Sequence, residues 1–197
     1  MSDRRTATLE ATARLVARRG VRGLRVEEVA AEAGISKALI YYHFGDRAGL
    51  VRRTLTFISD RAERYTAAHT AASSCDPLEE LEQSLLLEFQ DSPIVRENSI
   101  AWGELRASAV FDSGLRDELA LASLIWAREV ANLLGLIRPT ARESALVTSA
   151  ERLTVMVEGL SNRWLGGTLP LDHARTLMRE AVAVEVERLA TDSPPVI

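Results

Sequence analysis

Groups that could bond a polyanion are concentrated in one short segment, residues 36–47, which reads SKALIYYHFGDR. The segment holds two of the three tyrosines of the chain, one of its three histidines and its only lysine. An ammonium group and phenol hydroxyls donate hydrogen bonds to phosphates and to the edges of bases. The chain contains no phosphate-binding glycine loop, nucleophile elbow or catalytic triad spacing. The segment therefore indicates recognition of a polyanion and argues against catalysis.

Helical winding sorts the side chains of this segment into two faces. If each residue turns the helix by ~100° and Ile40 points inward, Phe44 lies near the core, while Ala38 and Tyr42 point almost directly away from it. A small alanine lets a helix approach a groove closely. The alternative is that the whole aromatic run is a core stripe; this suits Ile40 and Phe44 but would leave Tyr42 in water.

Lys37 and Tyr41 lie on one shoulder of the same predicted helix, beside its outward face. The other 23 basic residues of the chain are arginines. A lysine retained here is consistent with a site too narrow for a guanidinium.

The elements that would position this face form a short helix, a tight break and a second short helix. The first spans about residues 26–33 and the second about residues 37–43. Gly34 can adopt the positive φ that the break requires, and Ser36 can cap the second helix. This pattern predicts a helix-turn-helix.

The charge of the chain is divided unevenly between this region and the rest. The formal net charge is −4, but residues 1–53 hold eleven basic and six acidic side chains, which gives +5 there and −9 in the remainder. This asymmetry favours a basic N-terminal module that binds a polyanion, joined to an acidic body with another role. Scatter of charges over solvated helix faces is the alternative explanation.

Length and composition restrict the class of protein. The 197 residues suffice for one sizeable domain, or for a small one and a larger one. No uninterrupted apolar run approaches the ~18 residues of a membrane span, and we expect a soluble, cytoplasmic bacterial protein without a membrane partner. A single cysteine, Cys75, excludes an internal disulfide, and three scattered histidines have no metal-ligand spacing. We therefore predict neither a metal nor another cofactor.

Apolar periodicity predicts an all-α fold, because strand-like alternation is absent and most glycines and prolines fall between periodic segments. Asp76 before Pro77, Thr140 three residues before Glu143, and Asp172 are the predicted helix caps. The predicted helices span about residues 4–19, 26–33, 37–43, 46–72, 77–90, 93–110, 115–134, 141–165 and 172–190.

The N-terminal region resembles the helix-turn-helix domain of the TetR family of bacterial transcriptional regulators. The resemblance covers about residues 5–53 and is carried by Gly20, the pairs 29–30 and 33–34, the run 36–44, and then Asp46, Arg47 and Leu50. It implies three domain assignments: a three-helix DNA-binding domain at residues 1–50, a larger helical ligand-binding and dimerisation domain at 51–190, and a loose tail at 191–197.

The resemblance also implies the DNA contacts. In that family the helix that matches Ser36 to His43 lies in the major groove, and a basic residue at the position of Arg47 contacts the DNA backbone. Arg25 stands where the family often has the serine or threonine that precedes the helix-turn-helix, and an arginine there could reach a phosphate. The implied DNA-binding residues are Arg25, Ser36, Lys37, Ala38, Tyr41, Tyr42, His43 and Arg47.

The acidic body contains two apolar stripes. One follows heptad steps along the eighth predicted helix and the other follows the ninth. Packing within one chain and packing between two chains explain the stripes equally well. The resemblance favours an intermolecular four-helix bundle, because the last two helices commonly form one in the family, and residues 152–165 are similar to its choline-responsive, BetI-like branch. The predicted interface consists of Leu146, Leu153, Val157, Leu160, Trp164, Met178, Val182 and Val186.

Aromatic side chains accompanied by a few polar groups between residues 77 and 135 indicate a small-molecule pocket. An aromatic residue at helical spacing is also compatible with an ordinary core. The predicted ligand-binding residues are Phe89, Trp102, Glu104, Arg106 and Trp126.

These features together predict a ligand-responsive transcriptional regulator, a repressor that binds a palindromic double-stranded DNA operator as a homodimer and is released by an unknown small-molecule effector. An enzyme and a helical module that binds only protein are the rival classes. Neither accounts for the charge division and the outward Tyr42, and salt-dependent DNA binding separates the regulator from both.

Overall fold

The computed structural model describes residues 4–70 and 76–191, and over this part of the chain the fold is all α-helical, as predicted. The helices are α1 (Arg4–Arg19), α2 (Val26–Ala33), α3 (Lys37–Phe44), α4 (Arg47–Thr70), α5 (Pro77–Leu86), α6 (Pro93–Ala109), α7 (Ser113–Ile137), α8 (Glu143–Leu165) and α9 (Leu171–Thr191). Cys75, the predicted end of the fourth helix at residues 71–72, and positions 192–197 of the predicted tail lie outside the described residues. Thr191, which was assigned to the tail, is the last residue of α9.

Local capping explains several helix starts. Asp76 accepts a hydrogen bond from the Leu78 amide at 3.0 Å with Pro77 in the first turn of α5, so this predicted cap is confirmed. The predicted caps at Thr140 and Asp172 are wrong. The N-cap of α8 is Arg142, which makes no side-chain capping bond, and Asp172 lies inside the first turn of α9.

The chain divides into two compact units. Among the described residues, the first unit contains 4–63 and 96–122, and the second contains 64–70, 76–95 and 123–191. The division falls within α4, α6 and α7. It assigns α6 from Arg96 onward to the same unit as α1, α2 and α3, whereas a boundary at residue 50 would separate α6 from these helices.

The core of the first unit is built from small and branched apolar side chains. Ala13, Val16, Val29, Ile40 and Leu50 are buried on the helices of the N-terminal region, and apolar residues of α6 such as Ala101 and Leu105 belong to the same cluster. The helix-turn-helix therefore rests on a core that includes α6.

The second unit is held together mainly by α8 and α9. Leu153, Val157, Met178 and Val182 are buried along these two helices and pack in one cluster with apolar residues of α5 and α7 such as Leu134. A polar link crosses the same pair of helices, since the Arg188 guanidinium of α9 donates to the Ser149 hydroxyl of α8 at 2.7 Å; within α9 it also donates to the Glu185 carboxylate at 3.0 Å.

One described helix, α7, has the length and apolar composition of a membrane span. Core helices of soluble proteins satisfy the same two criteria, so this is weak evidence. Leu121, Leu124 and Ile125 are exposed on α7 at the spacing of a single helix face.

Candidate nucleic-acid interface

The geometry of α3 starts from the residues that precede it. Gly34 has φ +66°, a left-handed conformation that residues with a Cβ rarely adopt, and its amide closes the end of α2. The Ser36 hydroxyl accepts a hydrogen bond from the Leu39 amide at 3.2 Å and caps α3. Both predictions for this break are confirmed, and they fix where the first turn of α3 points.

The two faces of α3 differ as the helical winding predicts. Ile40 is fully buried and Phe44 is nearly so, whereas Ala38 is exposed and the Tyr42 side chain is 82% exposed. Tyr41 is 41% exposed on the flank. A small residue flanked by two phenols thus forms a protruding surface that can enter a groove of a duplex.

His43 lies at the edge of this surface and is half-buried. Its ring makes edge-on contacts with the neighbouring Tyr42 and Phe44 rings, with centroids 5.2 and 6.2 Å apart. The imidazole therefore packs between the exposed phenol and the core.

Lys37, on the same flank of α3 as Tyr41, is engaged in an ion pair. Its Nζ lies 2.6 Å from Oε1 of Glu27 in the first turn of α2. The hydrogen bond from Lys37 keeps the pKa of Glu27 below its ordinary value of 4.5, and the Glu27 carboxylate raises the pKa of Lys37 above 10.5. Both groups are therefore charged at neutral pH. Sequence reasoning missed Glu27, which was interpreted only as a favourable charge at the end of a helix dipole.

The two predicted arginines hold different positions. Arg25 is exposed at the N-cap of α2 and makes no side-chain capping bond. The Arg47 guanidinium, at the start of α4, donates to the carbonyl of Leu24 at 3.1 Å and to the carbonyl of Val21. Arg47 therefore holds the turn between α1 and α2 in place.

Three of the basic residues of α1 bond to α2. Arg14 and Arg18 both donate to Glu32, with Arg14 Nε at 2.7 Å, and Arg19 Nη1 donates to Glu28 at 2.5 Å. The N-terminal basic residues are therefore of two kinds: some join α1 to α2, and others, such as Arg25 at the N-cap of α2 and Lys37 at the start of α3, are exposed.

The turn between α1 and α2 is also contacted from α6. The Val21 amide lies 3.4 Å from Oε2 of Glu104, and Gly20, with φ +73°, leaves no Cβ in the path of that carboxylate. A Cβ at position 20 would approach Oε2 to 2.6 Å. Glu104 on one side and Arg47 on the other thus fix this turn within the first unit.

The predicted ligand-binding residues are distributed over both units. Trp102, Glu104 and Arg106 are on α6 in the first unit, where Trp102 is half-buried against the core. Phe89 and Trp126 belong to the cluster of the second unit, and Phe89 is fully buried.

The predicted interface residues lie inside the chain. Seven of the eight are buried in the core of the second unit and Leu146 is half-buried against it. The exposed apolar residues of the same helices are different: Val155 (65%), Met156 and Val184 (60%). Sequence reasoning missed them, because the heptad steps selected the stripe that packs α8 against α9 within one chain.

Two family models and several known proteins match the sequence of this chain. The family model for bacterial regulatory proteins of the tetR family matches residues 9–54, and the model for the C-terminal region of BetI-type transcriptional repressors matches residues 77–187. The HTH-type transcriptional regulator BetI of Burkholderia thailandensis is 26% identical to this chain over 166 residues, which are 84% of this chain and 82% of the relative.

Two solved structures are similar over almost the whole chain. A TetR-family transcriptional regulator from Rhodococcus sp. is 43% identical with a TM-score of 0.86, covering 94% of this chain and all of the other. A transcriptional regulator from Saccharomonospora viridis, solved in complex with choline, is 25% identical with a TM-score of 0.77, covering 93% and 97%.

Proposed function

Because the chain belongs to the TetR family and is a DNA-binding transcriptional regulator, we propose that it is a homodimeric repressor that a small molecule releases from a palindromic operator. The observation that carries this proposal is the exposed face of α3, where Tyr42 and Ala38 project from a helix anchored by Ile40 and Phe44. Its relatives are transcriptional regulators, and we propose the same non-enzymatic role here, in the bacterial cytoplasm where the operator DNA lies.

Dimerisation is expected from the size of α3, the helix proposed to contact the DNA bases and called the reading helix below. Eight residues of α3 form only about two turns, which contact a few base pairs, so specific binding requires two half-sites related by two-fold symmetry. The proposed interface is the exposed side of α8 and α9, where Val155, Met156 and Val184 would otherwise remain in water. The predicted residues beneath, such as Leu153 and Val182, support this surface from within the chain.

Gly159 is independent support for a close contact on α8. A glycine inside a helix costs about 1 kcal/mol relative to alanine. A Cβ at position 159 would meet no atom within 4 Å in the single chain, so packing within the chain does not require the glycine. One turn from Val155, it leaves room for a helix of a second copy to approach closely.

Choline is the first effector to test. The Saccharomonospora viridis regulator was solved with choline, and the second half of this chain matches the BetI-type model. Aromatic faces bind quaternary ammonium groups through cation–π attraction. The proposed ligand-binding residues form two separate candidate groups, Trp102 with Glu104 and Arg106 in the first unit and Phe89 with Trp126 in the second.

Release requires that the effector favour a state in which the reading helices no longer match two successive major grooves. The contact of Glu104 with the Val21 amide supports a route for this coupling, because it connects α6 to the turn that precedes the helix-turn-helix. A shift of α6 would then change the position of that turn.

The test begins with selection of fragments of genomic DNA by the purified full-length protein. We expect the recovered fragments to share a palindrome that binds one dimer, with an affinity that falls as salt rises. Titration with choline should then lower operator affinity about 100-fold, which corresponds to ~2.7 kcal/mol of coupling. Recovery of random fragments would contradict sequence-specific regulation. If a palindrome is recovered but choline does not change the affinity for it, only the proposal that choline is the effector is contradicted.

A further inference from the structure

The ion pair between Glu27 and Lys37 links the two helices of the helix-turn-helix at the surface that faces DNA. The carboxylate and the ammonium are 2.6 Å apart, and their side chains are 65% and 47% exposed. An exposed ion pair contributes little to stability, because water screens it and two long side chains lose freedom. Stability alone therefore explains poorly why a carboxylate is placed beside the reading helix.

Glu27 opposes binding to any phosphate backbone in two ways. Its own negative charge repels phosphates, and its bond to Lys37 occupies a cation that would otherwise release counterions from the duplex. The hydrogen bond from Lys37 and the charge of Arg25 both lower the pKa of Glu27, so the carboxylate stays ionised at neutral pH.

A carboxylate in the major groove also has a specific partner. Among the base edges, the N4 amino group of cytosine is the donor that glutamate accepts from, and lysine donates to O6 and N7 of guanine. The pair Glu27 and Lys37 can thus contact a cytosine and a guanine from one position in the groove.

We propose that Glu27 is a specificity-determining residue, which weakens binding to non-operator DNA and accepts a hydrogen bond from a cytosine amino group in the operator. This inference rests on the assignment of α3 as the reading helix. It adds to that assignment a residue of α2 whose negative charge makes wrong sequences unfavourable.

The experiment compares the wild type, Glu27→Gln and the matched control Glu32→Gln in the full-length protein. Glu32 lies on the same helix and the substitution changes the charge equally, but its partners are Arg14 and Arg18 of α1. Dissociation constants are measured over a salt series for the operator recovered by selection and for a scrambled duplex of equal length. Circular dichroism confirms that each variant is folded.

For Glu27→Gln we expect binding to the scrambled duplex to tighten about fivefold to tenfold at physiological salt, with a steeper log–log salt slope by about one, as for one additional phosphate contact. Operator binding should not tighten. The ratio of operator affinity to scrambled-duplex affinity should therefore fall by at least the same factor. The gain should disappear in Glu27→Gln combined with Lys37→Ala.

Two results would overturn the inference: an unchanged affinity ratio in Glu27→Gln, or an equal change in Glu32→Gln, which would reveal a mere effect of net charge. A wild-type protein that fails to distinguish operator from scrambled DNA would instead contradict the proposed function. If the wild type distinguishes operator from scrambled DNA and Glu27→Gln distinguishes them equally well, this inference is contradicted and the proposed function is not.

Discussion

The Tyr42 ring is held in water by the residues on the opposite side of its helix. Ile40 and Phe44 are one turn apart and anchor α3 in the core, so Tyr42 has no route inward. Tyrosine combines an apolar ring with a polar hydroxyl and is enriched at surfaces that bind a partner. Its position beside Ala38 makes the groove of a duplex the partner that fits.

Replacing Tyr42 or Lys37 with alanine should weaken operator binding by about 1–3 kcal/mol each, the usual effect of losing one base contact. Fold and oligomeric state should not change, because both side chains are exposed. Fluorescence anisotropy with the selected operator measures the affinity. Val110→Ala, at an exposed apolar position at the end of α6, is the control. Wild-type affinity in both variants would contradict the assigned reading face.

Much of this surface could be predicted from the sequence, because a single helix obeys one angular period. Winding from Ile40 was enough to expose Tyr42 and bury Phe44. The ion pair of Lys37 with Glu27 could not be predicted in the same way. It joins residues ten positions apart on two helices, and their separation depends on how Ala30, Ile40 and the other core residues pack.

At the scale of elements, Glu32 of α2 is a carboxylate that accepts from two guanidinium groups of α1. Burial alone would raise the pKa of Glu32, but the hydrogen bond from Arg14 and the charge of Arg18 bring it below 4.5. In the unfolded chain this pKa returns to its ordinary value. Ionised Glu32 therefore stabilises the fold above that value, and the contribution is lost as pH falls through the lower, folded pKa.

We expect Glu32→Gln to lower the free energy of unfolding by less than about 1 kcal/mol at pH 7, since the pair is partly exposed. The difference between wild type and variant should shrink as the pH falls below about 4.5. Urea denaturation at pH 7, 5 and 3.5 measures it. A difference that is the same at all three pH values would show that ionisation of Glu32 is not the source of its effect.

The contact between Glu104 of α6 and the Val21 amide of the α1–α2 turn leads to a second prediction at this scale. The effector should lower operator affinity less in Glu104→Ala than in the wild type. The expected decrease in the coupling free energy is about 1 kcal/mol, within the usual range of coupling energies. Operator affinity without effector should change little. Glu104→Gln is the matched comparison, because its side-chain carbonyl can still accept from the Val21 amide. Full response to choline in Glu104→Ala would exclude this contact from the route of coupling.

Helix positions were predictable wherever a local signal sets them. Proline at position 77 after an aspartate favours the start of a helix, and Gly20 and Gly34 end helices through positive φ. The predicted cap at Thr140 failed because Ala141 and Arg142 separate it from Glu143, the first residue of α8. Which of several polar residues caps a helix depends on the path of the incoming chain, which local sequence does not specify.

At the scale of the whole molecule, the first unit is discontinuous in sequence. A boundary at residue 50 follows the change in charge, but the core of that unit also includes Ala101, Leu105 and Leu115 from α6 and α7. Periodicity identifies each of these helices as amphipathic without indicating which core it joins. The grouping matters for function, because it places three of the proposed ligand-binding residues in the same unit as the reading helix.

The assembly is tested by a charge on the exposed apolar surface of the last two helices. Val155→Glu and Val184→Glu should each convert the dimer to a monomer with a native helical spectrum, because these side chains are exposed in the single chain. Leu153→Glu should instead unfold the second unit, since Leu153 is 1% exposed and a buried unpaired charge is strongly destabilising. Sedimentation velocity gives the mass, and Val110→Glu in the first unit controls for an added surface charge. If both Val155→Glu and Val184→Glu remain dimeric, the interface lies elsewhere on the protein. If the variants are monomeric but bind the palindrome as tightly as the wild type, operator binding does not require two joined reading helices.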